Sequence, residues 1–262
     1  MHLNKICWAI SIVFLLCGSV IAKSVSLKIL YKNQVIIVDS HFKKQKQAPE
    51  WKVLKRIDPN SSKLMTYEGY DLAEFFSYLK NKLNLKEIHH VETMALDGYR
   101  LTIDRGSINS KGAFLALKVN GVSPKGIYNK ILKSYFRWEP SYILLDPSSS
   151  EVSVASPYQV KSIKIFDKKT SNPILLNLDE DLVKGGEVFI KTCSKCHRVK
   201  GYGGKKAPAM KFMVRRWKGK SDEDLGTFLR NPQGVLKRKI QMSGYSGPES
   251  DLKELIKFLR SL

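Results

Sequence analysis

The stretch Cys193-Ser194-Lys195-Cys196-His197 constrains the fold of this chain more than any other part of its sequence. It sets two thiols three positions apart and follows the second directly with an imidazole. The preceding residues, 181–192, have apolar positions at helical spacing, so the cysteine pair closes a helix. The other two cysteines, Cys7 and Cys17, lie near the N-terminus, and we predict no disulfide framework.

This C-x-x-C-H spacing is the attachment signature of a c-type haem. Each cysteine can form a thioether with one vinyl group of the haem, which leaves His197 beside the ring, where its imidazole can bind the iron. One such motif predicts one covalent haem c per chain, held by Cys193 and Cys196. The alternatives are a redox-active dithiol, half of a zinc site and a plain disulfide. A redox pair usually opens a helix, and a zinc site needs more ligands than lie near this stretch.

Residues 1–22 have the pattern of an export signal. Lys5 precedes an almost wholly apolar run that ends at Cys17, and Ala22 closes a Val-Ile-Ala sequence suited to signal peptidase. We therefore predict cleavage after Ala22 and a periplasmic location. One alternative is an uncleaved anchor, although the run is shorter than the roughly 20 apolar residues that a membrane span needs. The other is acylation of Cys17, which its bulky neighbours disfavour.

After the signal, the sequence predicts an α+β protein of two domains. Residues 23–170 alternate strand-like and helix-like segments, and we predict a mixed α/β domain there. Short segments rich in β-branched and aromatic residues are predicted to be strands: 25–30, 34–38, 100–103, 114–118, 142–145 and 160–166. Residues 71–83 are predicted to form a helix capped by Asp71, and residues 127–135 a second helix.

The last third of the chain has helical periodicity. A linker at residues 171–177 is predicted to lead into an all-α domain at residues 178–262. Within this domain, apolar spacing predicts helices at residues 181–192, 222–230 and 250–262.

Residues 178–262 resemble a class I cytochrome c domain over their whole length. Besides the haem motif, the resemblance rests on Gly185-Gly186-Glu187-Val188-Phe189, Gly201-Tyr202-Gly203-Gly204, Ala207-Pro208, Phe228-Leu229-Arg230-Asn231-Pro232 and Phe258-Leu259. It implies that the first and last helices cross beside the haem, with Gly185 or Gly186 at the crossing and Phe189 packed on Phe258 or Leu259. It also implies that the Pro208 carbonyl accepts a hydrogen bond from the His197 ring and orients it.

The same resemblance implies a methionine as the sixth iron ligand. Met242 has the expected position ahead of the last helix, although Ser243 stands where the family has proline. Met210 and Met213 are the alternatives, and packing is the more ordinary role of both. Iron held by His and Met has a raised reduction potential and no open coordination position, which favours electron transfer. We predict no catalytic residues.

Residues 23–170 weakly resemble the molybdopterin-binding domain of the sulfite oxidase family. The resemblance rests on Thr66-Tyr67-Glu68-Gly69-Tyr70-Asp71-Leu72, Ala95-Leu96-Asp97-Gly98-Tyr99, Phe114-Leu115-Ala116-Leu117, Asn120-Gly121 and Val160-Lys161-Ser162-Ile163. That family ligates molybdenum through a cysteine, and residues 23–170 contain none. We therefore predict the scaffold without its metal, and we expect His89-His90 on a surface turn.

Positive charge is spread over the whole chain. The formal net charge is +21, of which +11 falls on residues 23–177 and +9 on residues 178–262. Such a field attracts an acidic redox partner protein or an anionic membrane surface, while the export signal argues against nucleic acid. We expect four lysines to rim the haem edge: Lys195, Lys200, Lys205 and Lys206.

These features predict an exported monohaem electron carrier, or the haem subunit of an oxidoreductase. One alternative is a haem-based redox sensor or ligand-binding protein. Another is a molybdenum-pterin oxidoreductase with a fused cytochrome.

Overall fold

The computed structural model describes residues 26–39, 41–122, 125–129, 133–145, 156–168, 172–237, 240 and 242–262. The export signal predicted at residues 1–22, with its cleavage site after Ala22, lies outside the described residues. Within the described part of the chain, no helix is long and apolar enough to cross a membrane.

The part of the chain before residue 169 is built mainly of strands. Its helical segments are α1 (Leu72–Lys82), the single turn α2 (Arg105–Ile108) and a 3-10 turn at Phe42–Lys44. Its strands are β1 (Leu27–Tyr31), β2 (Gln34–Val38), β3 (Lys52–Ile57), β4 (Leu64–Asp71), β5 (His90–Ala95), β6 (Arg100–Asp104), β7 (Phe114–Asn120), β8 (Ile127–Asn129), β9 (Ser134–Phe136), β10 (Tyr142–Leu144) and β11 (Val160–Phe166).

Two sheets organise most of these strands. The first has the order β2-β1-β11-β5-β6, in which β1 and β11 are parallel and the other neighbours antiparallel. The second is antiparallel, with the order β10-β7-β4-β3. In β1, Leu27, Ile29 and Tyr31 are buried and alternate with less buried residues, as expected of a strand with one face on a core. The predicted mixed α/β character is therefore confirmed.

Helix α1 packs on a core shared by both sheets. The Asp71 side chain caps it by accepting a hydrogen bond of 3.1 Å from the Glu74 amide, as predicted. Its apolar face buries Phe75 and Leu79 among residues of the first sheet, such as Ile163, and of the second, such as Leu115. The local cap and the apolar spacing agree with the tertiary packing, so this helix forms where the sequence places it.

The prediction of a helix at residues 127–135 is wrong. The described residues there form a hairpin, in which β8 and β9 pair Ile127 with Phe136 and Tyr128 with Tyr135. Ile127 joins a second, aromatic core, and a strand lets alternate residues face it. This long-range packing overrides the helical spacing of the local sequence.

The expectation for the histidine pair needs a similar correction. His90 does not lie on a turn: it begins β5, and its ring stacks on Phe166 with 4.4 Å between ring centroids. His89 is half-exposed, and its Nε2 atom lies 2.8 Å from the Glu87 carboxylate. The two histidines therefore lie at the start of β5, where His90 pairs with Phe166 of β11 and Asp104 of β6.

The last third of the chain is helical with one small hairpin. Its elements are α3 (Glu180–Thr192), β12 (Arg198–Val199), β13 (Tyr202–Gly203), α4 (Met210–Trp217), α5 (Asp222–Arg230), α6 (Pro232–Leu236) and α7 (Glu249–Arg260). The three predicted helices are present, but an all-α domain is not what the structure shows. Lys200 and Gly201 have left-handed backbone, with φ of 48° and 89°, so the chain reverses and β12 pairs with β13.

The predicted linker is packed in part on this helical region. Ile174 is buried in the C-terminal core, and a Cβ atom added at Gly186 in α3 would lie 2.8 Å from the Leu175 side chain. The domain boundaries at residues 170 and 178 stay predictions.

Helices α3 and α7 cross at very close range. A side chain at Gly185 would overlap the Glu254 carbonyl oxygen and come within 2.7 Å of the Phe258 Cβ atom. One turn further along α3, Phe189 meets Phe258 with 5.5 Å between ring centroids. Gly185 is therefore the glycine of the crossing, and Phe258 is the aromatic partner of Phe189.

We expect Gly185→Ala to lower the free energy of unfolding by at least about 1–3 kcal/mol. The new methyl group would overlap backbone atoms that cannot move aside. Gly226→Ala is the matched control, since an added Cβ in α5 would meet Ile256 and Leu252 at ordinary distances of 3.5 and 3.8 Å. That control should be neutral or slightly stabilising, as alanine favours the helix. Urea denaturation of the haem-loaded proteins measures both, and equal midpoints would contradict the crossing.

Candidate functional site

The attachment loop, residues 193–197, turns sharply off the end of α3. The Phe189 carbonyl accepts hydrogen bonds from the amides of both Cys193 (2.8 Å) and Ser194 (2.9 Å). The Cys193 carbonyl in turn accepts from the amides of Cys196 (3.1 Å) and His197 (2.9 Å). This bonding holds the two cysteines and the histidine in one compact turn, and both cysteines are free thiols.

Two glycines after the loop allow the β12–β13 hairpin to fold against it. A Cβ atom at Gly204 would overlap the Lys195 carbonyl oxygen, and one at Gly203 would overlap the His197 carbonyl oxygen. The Gly204 amide donates a 2.7 Å hydrogen bond to the Ser194 carbonyl. Gly203 also has a φ of 107°, which side chains rarely tolerate. Because neither glycine has a side chain, the hairpin can pack directly against the attachment loop.

His197 is buried and oriented by Pro208. Its Nδ1 atom lies 2.8 Å from the Pro208 carbonyl oxygen, which can only accept, so Nδ1 carries the proton. Burial lowers the pKa of His197, against the opposing effect of the bond to Pro208. The ring is therefore neutral at pH 7, with a lone pair on Nε2, which is the form that binds metals. The contact is the one that the family resemblance implies.

A cavity of about 850 Å³ opens beside the loop. This volume falls within the range of about 300–1,000 Å³ that is usual for cofactor pockets. Cys193, Cys196 and His197 line it, with apolar residues deeper inside and charged residues at its mouth. The apolar lining residues are Val188, Phe228, Leu229, Leu236, Ile240 and Leu255, and the charged ones are Lys184, Glu187, Lys191, Lys195, Lys206, Arg216 and Asp251.

Two of the three candidate methionines line this cavity. Met242 and Met213 both contribute to its wall, and both are half-buried. Met210 is buried and instead lines an adjoining apolar cleft of about 30 Å³, which Met213 and Met242 share. His197 lines both spaces, so Met210 differs from Met213 and Met242 only in not lining the larger cavity.

Hydrogen bonds hold the segment that carries Met242 against the end of α5. The Tyr245 amide donates to the Leu229 carbonyl at 2.8 Å, and the Arg230 guanidinium donates to the carbonyls of Tyr245 (3.1 Å) and Gly247 (2.6 Å). A Cβ atom at Gly244 would overlap the Arg230 carbonyl oxygen. These contacts fix the backbone beside Met242 although Ser243 lacks the rigidity of proline.

The residues present fit a haem. Two free thiols and a neutral imidazole adjoin the cavity, and Trp217 adds an independent sign. Its indole N–H is buried beside the cleft and has no hydrogen-bond partner among the described residues. A buried donor of this kind is usually satisfied, and a polar group of a bound cofactor can do so. Among those residues, no group of three or more His, Cys, Asp or Glu side chains could hold a metal ion by itself.

Both thiols are protonated before any attachment. Burial raises the pKa of Cys193 to about 11, and burial also raises the pKa of Cys196. A thiol is a poor nucleophile compared with its thiolate. At neutral pH the two cysteines are therefore mainly thiols and only weakly nucleophilic.

The four lysines expected at the haem edge have different surroundings. Lys200 and Lys205 are exposed. Lys206 lines the cavity, and its Nζ atom lies 2.7 Å from the Asp97 carboxylate of the β5–β6 turn. Lys195 also lines the cavity and is partly buried, and burial lowers its pKa. Of these four lysines, only Lys200 and Lys205 are therefore exposed to solvent.

Residues 182–262 match the family described as Cytochrome c. A search of curated proteins found no match to the chain. The family match supports the cytochrome c identity of this segment, a covalent haem c and a haem-based role in electron transfer. It begins at residue 182, so the resemblance of residues 23–170 to the molybdopterin-binding fold stays a prediction.

Proposed function

We propose that this chain is an exported electron-transfer protein that carries one haem c and exchanges electrons with an acidic redox partner. The observation behind the proposal is the juxtaposition of Cys193, Cys196 and a neutral, oriented His197 at one cavity that Met242 also lines. A periplasmic location rests on the signal-like residues 1–22. We further propose two domains, at residues 23–170 and 178–262.

The haem, when bound, supplies one-electron chemistry at its iron. Cys193 and Cys196 would hold it covalently, and His197 and Met242 would ligate the iron. The chain's own contribution is largely rigidity. Pro208 fixes the His197 ring, and the Arg230 contacts fix the segment around Met242. With a haem bound, the apolar part of the lining would keep water from that part of the site and so limit reorganisation when its charge changes by one electron.

The positive field is expected to speed association with anionic partners. The exposed Lys200 and Lys205 follow the attachment loop directly, so a partner that docks there meets two free positive charges. Steering of this type acts on the association rate and is screened by salt. The Debye length falls from roughly 30 Å at 0.01 M to about 10 Å at 0.1 M ionic strength.

The experiment measures electron exchange with two small reagents by stopped flow. Exchange with hexacyanoferrate, an anion, should slow as salt rises, while exchange with hexaammineruthenium, a cation, should not. Reversing both lysines, in Lys200→Glu/Lys205→Glu, should slow the reaction with the anion by roughly two- to ten-fold at low salt.

The matched control is Lys44→Glu/Lys46→Glu, which makes the same change of net charge at two exposed lysines of the N-terminal part. It should slow the reaction much less. If both double variants behave alike, only the overall charge matters and docking beside the attachment loop is wrong.

A further inference from the structure

The turn between β5 and β6, residues 96–99, and the first residue of β6, Arg100, lie directly against the attachment loop. The Arg100 amide donates a 2.9 Å hydrogen bond to the Lys195 carbonyl, within the C-x-x-C-H motif itself. The Lys205 amide donates a 2.8 Å hydrogen bond to the Gly98 carbonyl in return. These two backbone hydrogen bonds, one donated by each segment, fix the register of the segments, although about 100 residues of sequence separate them.

Gly98 allows this close approach. Its φ is 84°, and an added Cβ atom would lie 3.0 Å from the Cβ atom of Lys205. Both the turn and the contact therefore require glycine. The Asp97-Gly98 pair, typical of a hairpin turn, here also makes an interface.

The side chains of the turn form a small charged and aromatic cluster with Lys206, the member of the cluster that lines the cavity. The Asp97 carboxylate lies 2.7 Å from the Lys206 ammonium, with 31% and 18% of the two side chains exposed. The same ammonium lies 5.8 Å from the centre of the Tyr99 ring. Lys206 lines the cavity. Burial raises the pKa of Tyr99, so its phenol is neutral, and Asp97 and Lys206 supply the charge of the cluster.

We infer that the β5–β6 turn is part of the haem site: Asp97 positions Lys206 at the cavity wall, and the pair helps to set the reduction potential of the haem. Asp97 and Lys206 are thus positioning residues. Through them, the N-terminal part of the chain contributes to the haem site of the C-terminal part. The inference rests on the proposed function, because it needs a haem in the cavity.

The sign of each effect follows from the charge of the iron. Oxidation adds one positive charge to the haem, so a nearby cation disfavours the oxidised state and a nearby anion favours it. Replacing Lys206 by a neutral residue should lower the potential. Replacing Asp97 should raise it. A unit charge acting over roughly 10 Å at an effective dielectric constant of about 50 changes the equilibrium constant for reduction by roughly three-fold.

The test is spectroelectrochemical titration of the haem-loaded full chain and its variants. Lys206→Gln should shift the reduction equilibrium about three-fold toward the oxidised form, and Asp97→Asn should shift it toward the reduced form. The double variant should return close to the starting value. The conservative changes Lys206→Arg and Asp97→Glu should keep most of the original potential, which a merely structural contact would not require.

Glu50→Gln is the matched control, because it removes one exposed carboxylate from the N-terminal part away from this turn. If Asp97→Asn and Lys206→Gln change the reduction potential no more than Glu50→Gln does, the inference is wrong. If either variant folds poorly, hydrogen exchange on the unaltered protein decides. Protected amides at Arg100 and Lys205 are expected, and fast exchange at both would overturn the contact. A chain that takes up no haem would instead refute the proposed function.

Discussion

Replacing both Cys193 and Cys196 with serine should abolish covalent haem, while the unaltered chain should hold one haem through acid–acetone extraction. The two thiols lie in one turn at one cavity, and neither forms a disulfide with another of the described residues. Each single change should leave at most one thioether, so one vinyl group stays unsaturated. The pyridine haemochrome spectrum measures both haem per chain and the number of unsaturated vinyl groups.

Ser194→Ala is the control for damage to the loop. It removes the 2.7 Å hydrogen bond from the Ser194 hydroxyl to the Ile190 carbonyl but keeps both thiols. Haem content should stay near one per chain in this variant. Extraction of the haem from the unaltered protein would show that attachment is not covalent. It would contradict the assignment of Cys193 and Cys196 as the attachment residues.

Haem attachment should also stabilise the fold. The C-terminal core surrounds a cavity of about 850 Å³, so an empty site leaves apolar side chains such as Leu229 and Leu255 poorly packed. A ligand that binds only the folded state raises the free energy of unfolding. The double cysteine variant is therefore expected to unfold at a lower temperature than the Ser194→Ala protein.

The parts of the fold that the sequence predicts well are those with local determinants. Asp71 caps α1 through its own side chain, and the β-branched residues of β2 and β11 give their full bounds. Helix α5 also begins and ends where predicted, because Ser221 and Asp224 form a capping box at its start. Neighbouring residues supply the capping hydrogen bonds of α1 and α5, whereas β11 is recognisable from its own residues although its partners β1 and β5 are distant in sequence.

The elements that sequence reasoning missed depend on distant partners. Strand β4 contains Gly69, which a β-bulge accommodates where it meets β7, and this break weakens its alternation. The hairpin of β8 and β9 forms because it buries Ile127 in an aromatic core assembled from four other strands and loops. Neither partner is visible from the local residues.

The candidate site also combines features that the sequence predicts with features that only the folded chain shows. The attachment motif and Pro208 follow from spacing and family resemblance. Trp217 and the role of α4 were missed, although Met210, Met213, Val214 and Trp217 recur at helical spacing and give a usable signal. The contact of Asp97 with Lys206 had no such signal, because it joins two segments that only the folded chain brings together.

Met242→Ala should remove the weak sulfur-to-iron absorption band at the red end of the spectrum and lower the reduction potential. Thioether sulfur favours ferrous iron, so its loss favours the oxidised haem. A change on the order of 0.1 V or more is expected, within the roughly 0.8 V that axial ligands span. Met242 lines the same cavity as His197, and its segment is held by the bonds of Tyr245 and Arg230 to their neighbours.

Met213→Ala is the decisive comparison, because Met213 lines the same cavity and has the same sulfur ligand to offer. Met213→Ala should leave the absorption band in place and only weaken the packing of the core. Met210→Ala should do the same, because Met210 lines only the smaller cleft. If the band vanishes in Met213→Ala and survives in Met242→Ala, the ligand comes from α4. The segment before α7 would then close the cavity without touching the iron, and the serine that follows Met242 would have the simple explanation that no ligand needed to be held there.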